Sequence, residues 1–149
     1  MERHVLVVDD EPEFVELVAH VLTANGFRCS AASSGLEGLD QARKLRPDAM
    51  ILDIMLPDLD GFTICEMLRR HPDTERIPVL MLTCLGGTMS RLNGFSVGAS
   101  EYLTKPVKMP YLVSRIESLI QRPSAESSFE PVAGLRRKPV GKLTNPCGE

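Results

Sequence analysis

The chain lacks any apolar run approaching the ~20 residues that cross a bilayer as a helix, so no membrane-spanning segment is expected. No leader is expected either, since a strand-like run begins almost at the first residue, and the expectation is a cytoplasmic protein. Cysteine is sparse. Cys29, Cys65, Cys84 and Cys147 form no CxxC pair and show no ligand-like spacing with His4, His20 or His71, which reads as free thiols in a reducing compartment. A strong excess of charge of one sign is missing as well. With 17 Lys and Arg against 20 Asp and Glu the formal net charge is −3, which gives no field for nucleic acid, and no helix gathers its basic residues into a recognition face. Finally, no strand-like run leads into GxGxxG or a P-loop, which argues against a nucleotide binder.

What is present is a pattern of four apolar runs. His4-Val5-Leu6-Val7-Val8 runs into Asp9-Asp10-Glu11, and Ala49-Met50-Ile51-Leu52 runs into Asp53. Val79-Leu80-Met81-Leu82 runs into Thr83, and Glu101-Tyr102-Leu103-Thr104 runs into Lys105-Pro106. Short runs rich in Val, Ile and Leu, separated by helical patterns, read as parallel strands buried on both faces. Between them, Phe14, Leu17, Val18 and Val21 form one helical stripe, with Pro12 at its first turn and Gly26 at its end. Phe27 to Ala32 is a second strand. Leu36, Leu39, Ala42 and Leu45 belong to a helix that must stop before Pro47. A third helix turns Ile64, Cys65 and Leu68 inward, a weak fourth carries Leu92, Phe95 and Val97, and a fifth carries Leu112, Ile116 and Leu119. Five strand–helix units with right-handed crossovers predict an α/β fold: a doubly wound five-stranded parallel sheet, order 2-1-3-4-5, with five helices.

Residues 1–121 form this domain. From Arg122 the character changes: four prolines, three glycines and several serines follow without periodicity, and the sign reverses, with five Lys and Arg against three Glu. The expectation for 122–149 is a disordered tail, because such a segment buries too little apolar surface to offset its ordering entropy.

In a doubly wound sheet the carboxyl ends of the strands open onto one crevice. Asp9, Asp10, Asp53, Thr83 and Lys105 then converge. Three carboxylates cannot all ionise at close range unaided, and a divalent cation with a preference for oxygen ligands removes the conflict. Asp53 is the natural nucleophile, since carboxylates form aspartyl-phosphates. Thr83 can donate to a phosphoryl oxygen and Lys105 can neutralise another. Glu11 and Glu13 read as acids that favour the first turn of the next helix.

With Val7-Val8-Asp9-Asp10-Glu11-Pro12, Asp53-Ile54-Met55-Leu56-Pro57, Asp60-Gly61, Leu82-Thr83, Gly98-Ala99 and Tyr102-Leu103-Thr104-Lys105-Pro106, residues 4–121 resemble a receiver domain of the two-component response regulators. The resemblance implies that Asp53 accepts phosphate from the phosphohistidine of a sensor histidine kinase or phosphotransfer protein. It implies Mg²⁺ held by Asp9, Asp10 and the backbone carbonyl of Met55, and a cis peptide at Lys105-Pro106. Thr83 and Tyr102 become a switch pair: Tyr102 turns inward on phosphorylation, re-forming the face of the fourth helix, fifth strand and fifth helix. That face would control an unidentified downstream protein, or a phosphorylation-dependent homodimer, with the helix between Gly86 and Gly98 as the mobile element. At this length no output domain is expected, and the expectation is a stand-alone module without direct DNA binding.

Three positions depart from the family pattern. Cys84 replaces a usually small residue after Thr83 and is expected to narrow access to Asp53. Met55 and Leu85 are apolar where family members often carry polar side chains that influence the hydrolytic water, so a long-lived phosphoryl group is expected. Met55 also counts against a turnover enzyme resembling the haloacid dehalogenases, which carry a second aspartate two positions after the nucleophile. The intact Asp9, Asp10, Asp53, Thr83 and Lys105 count against a degenerate receiver that only binds partners.

Overall fold

The computed structural model describes residues 2–121; the tail expected at 122–149, with Cys147, lies outside them. Along the chain run β1 (Arg3–Val8), α1 (Pro12–Ala24), β2 (Phe27–Ala32), α2 (Gly35–Leu45) and β3 (Ala49–Leu52). They are followed by α3 (Gly61–Arg69), β4 (Val79–Thr83), α4 (Thr88–Ser96), β5 (Glu101–Thr104) and α5 (Met109–Gln121). All five strands pair in parallel in the order β2-β1-β3-β4-β5, as the alternation of elements predicts. β3 and β4 are buried along their whole length and β1 is buried after its first residue, the condition for helices on both faces. Cys29, Cys65 and Cys84 are free thiols. Among the described residues no helix is long and apolar enough to cross a membrane.

Local signals set the element ends. Pro12 opens α1, where its missing N–H costs nothing. Ser34 caps α2 by accepting from the Glu37 N–H, and the Glu37 carboxylate returns to the Ser33 N–H at 2.9 Å. α2 ends at Leu45 because Arg46 takes a left-handed conformation, φ 48°, ahead of Pro47. The loop after β3 is anchored onto α2: the two oxygens of Asp58 accept the Gly35 N–H at 2.7 Å and the Leu36 N–H at 2.9 Å. These N–H groups at a helix start hold the Asp58 carboxyl below its ordinary pKa.

Two helices turn differently from their sequence stripes. In α1 the row Phe14-Val18-Leu22 faces the sheet and Leu17 is 47% exposed, so the i, i+4, i+8 row wins over the i, i+3 row. In α4, Leu92 and Phe95 point outward and Gly94 is the one buried residue of the helix. A Cβ at Gly94 would stand 2.8 Å from the Tyr102 ring, so the helix rests its backbone on that ring and turns its large side chains away.

His4, near the start of β1, is buried between layers, with Nε2 2.7 Å from Ser30 Oγ and its backbone N–H on Asp48. Burial, then the Arg28 charge, lower its pKa against a smaller opposing pull from Asp48. The unfolded chain therefore takes up the proton first. His4 contributes stability that is complete above its ordinary value of 6.5 and is lost as pH falls through the lowered folded value. Urea midpoints measured between pH 8 and pH 5 are expected to fall on the acid side, and His4→Gln to flatten that limb; an unchanged slope in the variant contradicts the assignment.

Gly61 opens α3 where there is no room for a side chain: a Cβ would lie 2.7 Å from the Asp53 carbonyl oxygen and 2.7 Å from Ile54 Cα. Both neighbours are backbone and cannot rotate aside. Gly61→Ala is expected to cost about 1–3 kcal/mol in urea unfolding, the range of core overpacking, and a stability equal to wild type would show that the loop yields freely.

Candidate functional site

The site lies at the carboxyl ends of β1, β3, β4 and β5. Backbone ladders continue past the strands and fix the first residues of each loop: Asp9 N–H donates to Ala32 O at 3.1 Å, Asp53 N–H to Val8 O at 3.0 Å, and Lys105 N–H to Thr83 O at 2.7 Å. The side chains of Asp9, Asp53 and Lys105 thus leave from rigid positions. β1 and β3 are adjacent, with Val8 in register with Leu52, so Asp9 and Asp53 emerge side by side.

Asp9, Asp10 and Asp53 each offer a carboxylate oxygen, and these atoms all lie within 4.8 Å of one another. Asp9 and Asp53 are buried while Asp10 is exposed, so the cluster opens to solvent on one side. Burial pushes the Asp9 carboxyl above its ordinary pKa, against the Glu11 N–H and Lys105, which stabilise the charged form. Asp53 Oδ1 accepts the Met55 N–H at 3.2 Å and Asp9 Oδ1 accepts the Glu11 N–H at 3.0 Å, so each buried carboxylate is oriented by its own loop.

Lys105 closes the cluster. Its Nζ lies 2.8 Å from Glu11 Oε1, 2.9 Å from Asp9 Oδ2 and 3.3 Å from Asp53 Oδ2. The stem passes from β5 so that the ammonium also stands 4.3 Å from the centre of the Phe14 ring. Burial alone would lower its pKa, but the Glu11 and Asp9 hydrogen bonds and the Asp53 charge raise it, so the ammonium stays protonated. The peptide after it, Lys105-Pro106, is cis.

Glu11 stands differently from its reading as a helix-favouring acid: it occupies the N-cap position of α1 but makes no side-chain cap bond, and its carboxylate reaches Lys105. Glu11 and Phe14 come to the site in roles the sequence did not assign them: Glu11 read as an acid of the first helical turn, and Phe14 as part of that helix's apolar stripe.

Thr83 is buried at the end of β4 and its Oγ1 accepts the Leu85 N–H at 3.2 Å. Tyr102 is wholly buried and donates its hydroxyl to the Leu85 carbonyl oxygen, with the Arg91 guanidinium 5.5 Å from its ring centre. Leu85 therefore joins Thr83 to Tyr102, one through its N–H and the other through its C=O. Burial pushes the Tyr102 phenol up. Met55 is 61% exposed at the mouth, and Cys84 and Leu85 are exposed beside it.

A family model described as the response regulator receiver domain matches residues 5–117. The DNA-binding dual master transcriptional regulator RpaA of Synechocystis is 42% identical over 118 residues, 79% of this chain and 49% of that protein. The response regulator PleD of Caulobacter vibrioides is 41% identical over 119 residues, 80% of this chain and 26% of that protein. The chain therefore spans half or less of the length of these relatives. Among solved structures, the chemotaxis response regulator CheY4 of Vibrio cholerae superposes with a TM-score of 0.76 at 30% identity, covering 80% of this chain and 99% of that one. The receiver domain of Francisella response regulator 1452 gives 0.77 at 30% identity, covering 81% and 98%. With the parallel order 2-1-3-4-5 and a carboxylate cluster at its switch point, the chain belongs to the receiver domain family of the two-component response regulators.

Proposed function

We propose that the domain is a phosphorylation switch in which Asp53 accepts a phosphoryl group from the phosphohistidine of a histidine kinase or phosphotransfer protein. The observation that carries this reading is the arrangement at the strand ends: Asp53 Oδ2 faces the Lys105 ammonium at 3.3 Å, within a cluster of three carboxylates. In the transfer an Asp53 carboxylate oxygen forms the new P–O bond. The P–N bond breaks, its electron pair stays on the imidazole nitrogen, and that nitrogen takes up a proton.

Three carboxylates with one buried oxygen raised in pKa suit a hard divalent cation. Asp9, Asp10 and the Met55 carbonyl would hold Mg²⁺, which when bound supplies charge neutralisation for the phosphoryl oxygens. Lys105 then acts as a second, fixed positive charge, and the buried Thr83 hydroxyl, whose oxygen already accepts from Leu85, keeps its O–H to donate to a phosphoryl oxygen. The phosphorylated aspartate carries nearly two negative charges.

Thr83 and Tyr102 serve as the switch. The structure already has Tyr102 inward, so the change on phosphorylation is read as a shift in the shared Leu85 peptide and in α4 above it rather than as a long swing of the ring. Such a charge need only bias two packings of one loop. The α4-β5-α5 surface, where Met89 is 78% and Leu92 57% exposed, would meet the downstream protein or a second copy of the chain.

Incubation with acetyl phosphate and Mg²⁺ is expected to add one phosphoryl mass to the chain, and Asp53→Asn or removal of the metal to abolish it. A folded wild-type domain that stays unmodified contradicts the proposal. In the same assay Cys84→Ala is expected to be modified faster, as a residue that narrows the entrance would require.

Met55 and Leu85 place no polar group at the mouth to orient a water, so the acyl phosphate is expected to last on the order of hours once the donor is removed. Met55→Asn is expected to shorten that lifetime severalfold. A wild-type half-life of seconds, read by mass or phosphate release, refutes the apolar-mouth argument.

A further inference from the structure

We infer that Glu11 is a positioning residue that holds the Lys105 ammonium back from Asp53 and so limits how tightly the site takes a phosphoryl group; this rests on the phosphoacceptor reading above. A lysine ammonium has three N–H donors, and here they have three carboxylate acceptors: Glu11 at 2.8 Å, Asp9 at 2.9 Å and Asp53 at 3.3 Å. The contact to Asp53 is the longest of the three. α1 and the residue before it hold the ammonium from a second direction through the Phe14 ring. Glu11 is available for this because it does not cap its own helix.

A phosphoryl group on Asp53 is an anion that draws the Lys105 ammonium toward it. The donor now spent on Asp53 can pass to a phosphoryl oxygen, but closing that 3.3 Å contact loosens the hold on Glu11 or Asp9. Of these two the Asp9 side chain is buried, 3% exposed, whereas Glu11 is 62% exposed and water can replace the lysine. Glu11 is therefore the partner that yields, and the cost of releasing it weighs against phosphoryl binding. Its charge, fixed beside the incoming anion, acts in the same direction.

The test uses beryllofluoride as the phosphoryl probe, titrated calorimetrically into the full chain at saturating Mg²⁺, with Mg²⁺ affinity measured separately. Glu11→Gln removes the charge; Glu11→Asp keeps it on a side chain one methylene too short to reach Lys105. Both variants are expected to bind beryllofluoride roughly two- to fivefold more tightly, the fold-change of one exposed ion pair, with Mg²⁺ affinity no tighter than wild type. Unchanged or weaker beryllofluoride binding in Glu11→Gln overturns the proposal. So does a Glu11→Asp that behaves as wild type, which would leave only a general charge effect without a contact. If wild type itself fails to bind beryllofluoride, as Asp53→Asn should, the phosphoacceptor reading falls and this inference with it.

Discussion

The packing of like charge at the ends of β1 and β3 is the constraint on which the rest of the site depends. Asp9 and Asp53 leave adjacent strands in register and are both buried, with Asp10 beside them. Burial, with a smaller push from the Asp53 charge, opposes ionisation of Asp9 there. Lys105 answers part of that charge from the end of β5, 96 residues along from Asp9 and 52 from Asp53. One cation against three aspartates and Glu11 leaves the cluster anionic, and an anionic oxygen-lined cluster open to solvent on one side is a place for a hard cation.

The sheet makes this arrangement rigid, and the loops make it responsive. Asp53 is fixed behind by its N–H on Val8 and by Gly61 packed on its carbonyl, and its loop is tied to α2 through Asp58. On the other side of the site the ties are fewer. Leu85 connects Thr83 to Tyr102, and α4 lays Gly94 against the ring with the Arg91 guanidinium 5.5 Å from its centre. A helix that buries so little of itself has a low cost of displacement. Arg69, donating to the Gly98 carbonyl at 3.1 and 2.8 Å, sets where that freedom ends, since it anchors the turn after α4 to α3.

Much of the fold was legible because parallel strands buried on both faces must be continuously apolar, and β1, β3 and β4 are. The turn signals were equally direct: Pro12 at the start of α1, and Pro47 ending α2 one residue after a left-handed Arg46. The helices α1 and α4 were less legible. A stripe of apolar residues says that a helix has a buried face, but Leu17 and Leu22 fit one equally well, and only contact with the sheet selects Leu22. In α4 the glycine outweighed the apolar pattern, because a close backbone approach to Tyr102 leaves Leu92 and Phe95 no inward position.

For the site, the sequence determined the inventory: Asp9, Asp10, Asp53, Thr83 and Lys105 each follow a strand-like run, and parallel topology brings strand ends to one edge. The tertiary structure decided which of these groups hold one another and with what neighbours. Glu11 turns from its helix to the lysine, Phe14 lies beneath the ammonium, and Tyr102 shares Leu85 with Thr83. Residue type and strand order are properties of the chain and can be read along it. The direction a side chain takes is set by the charges and volumes that arrive from the rest of the sheet, and those meet only when the chain is folded.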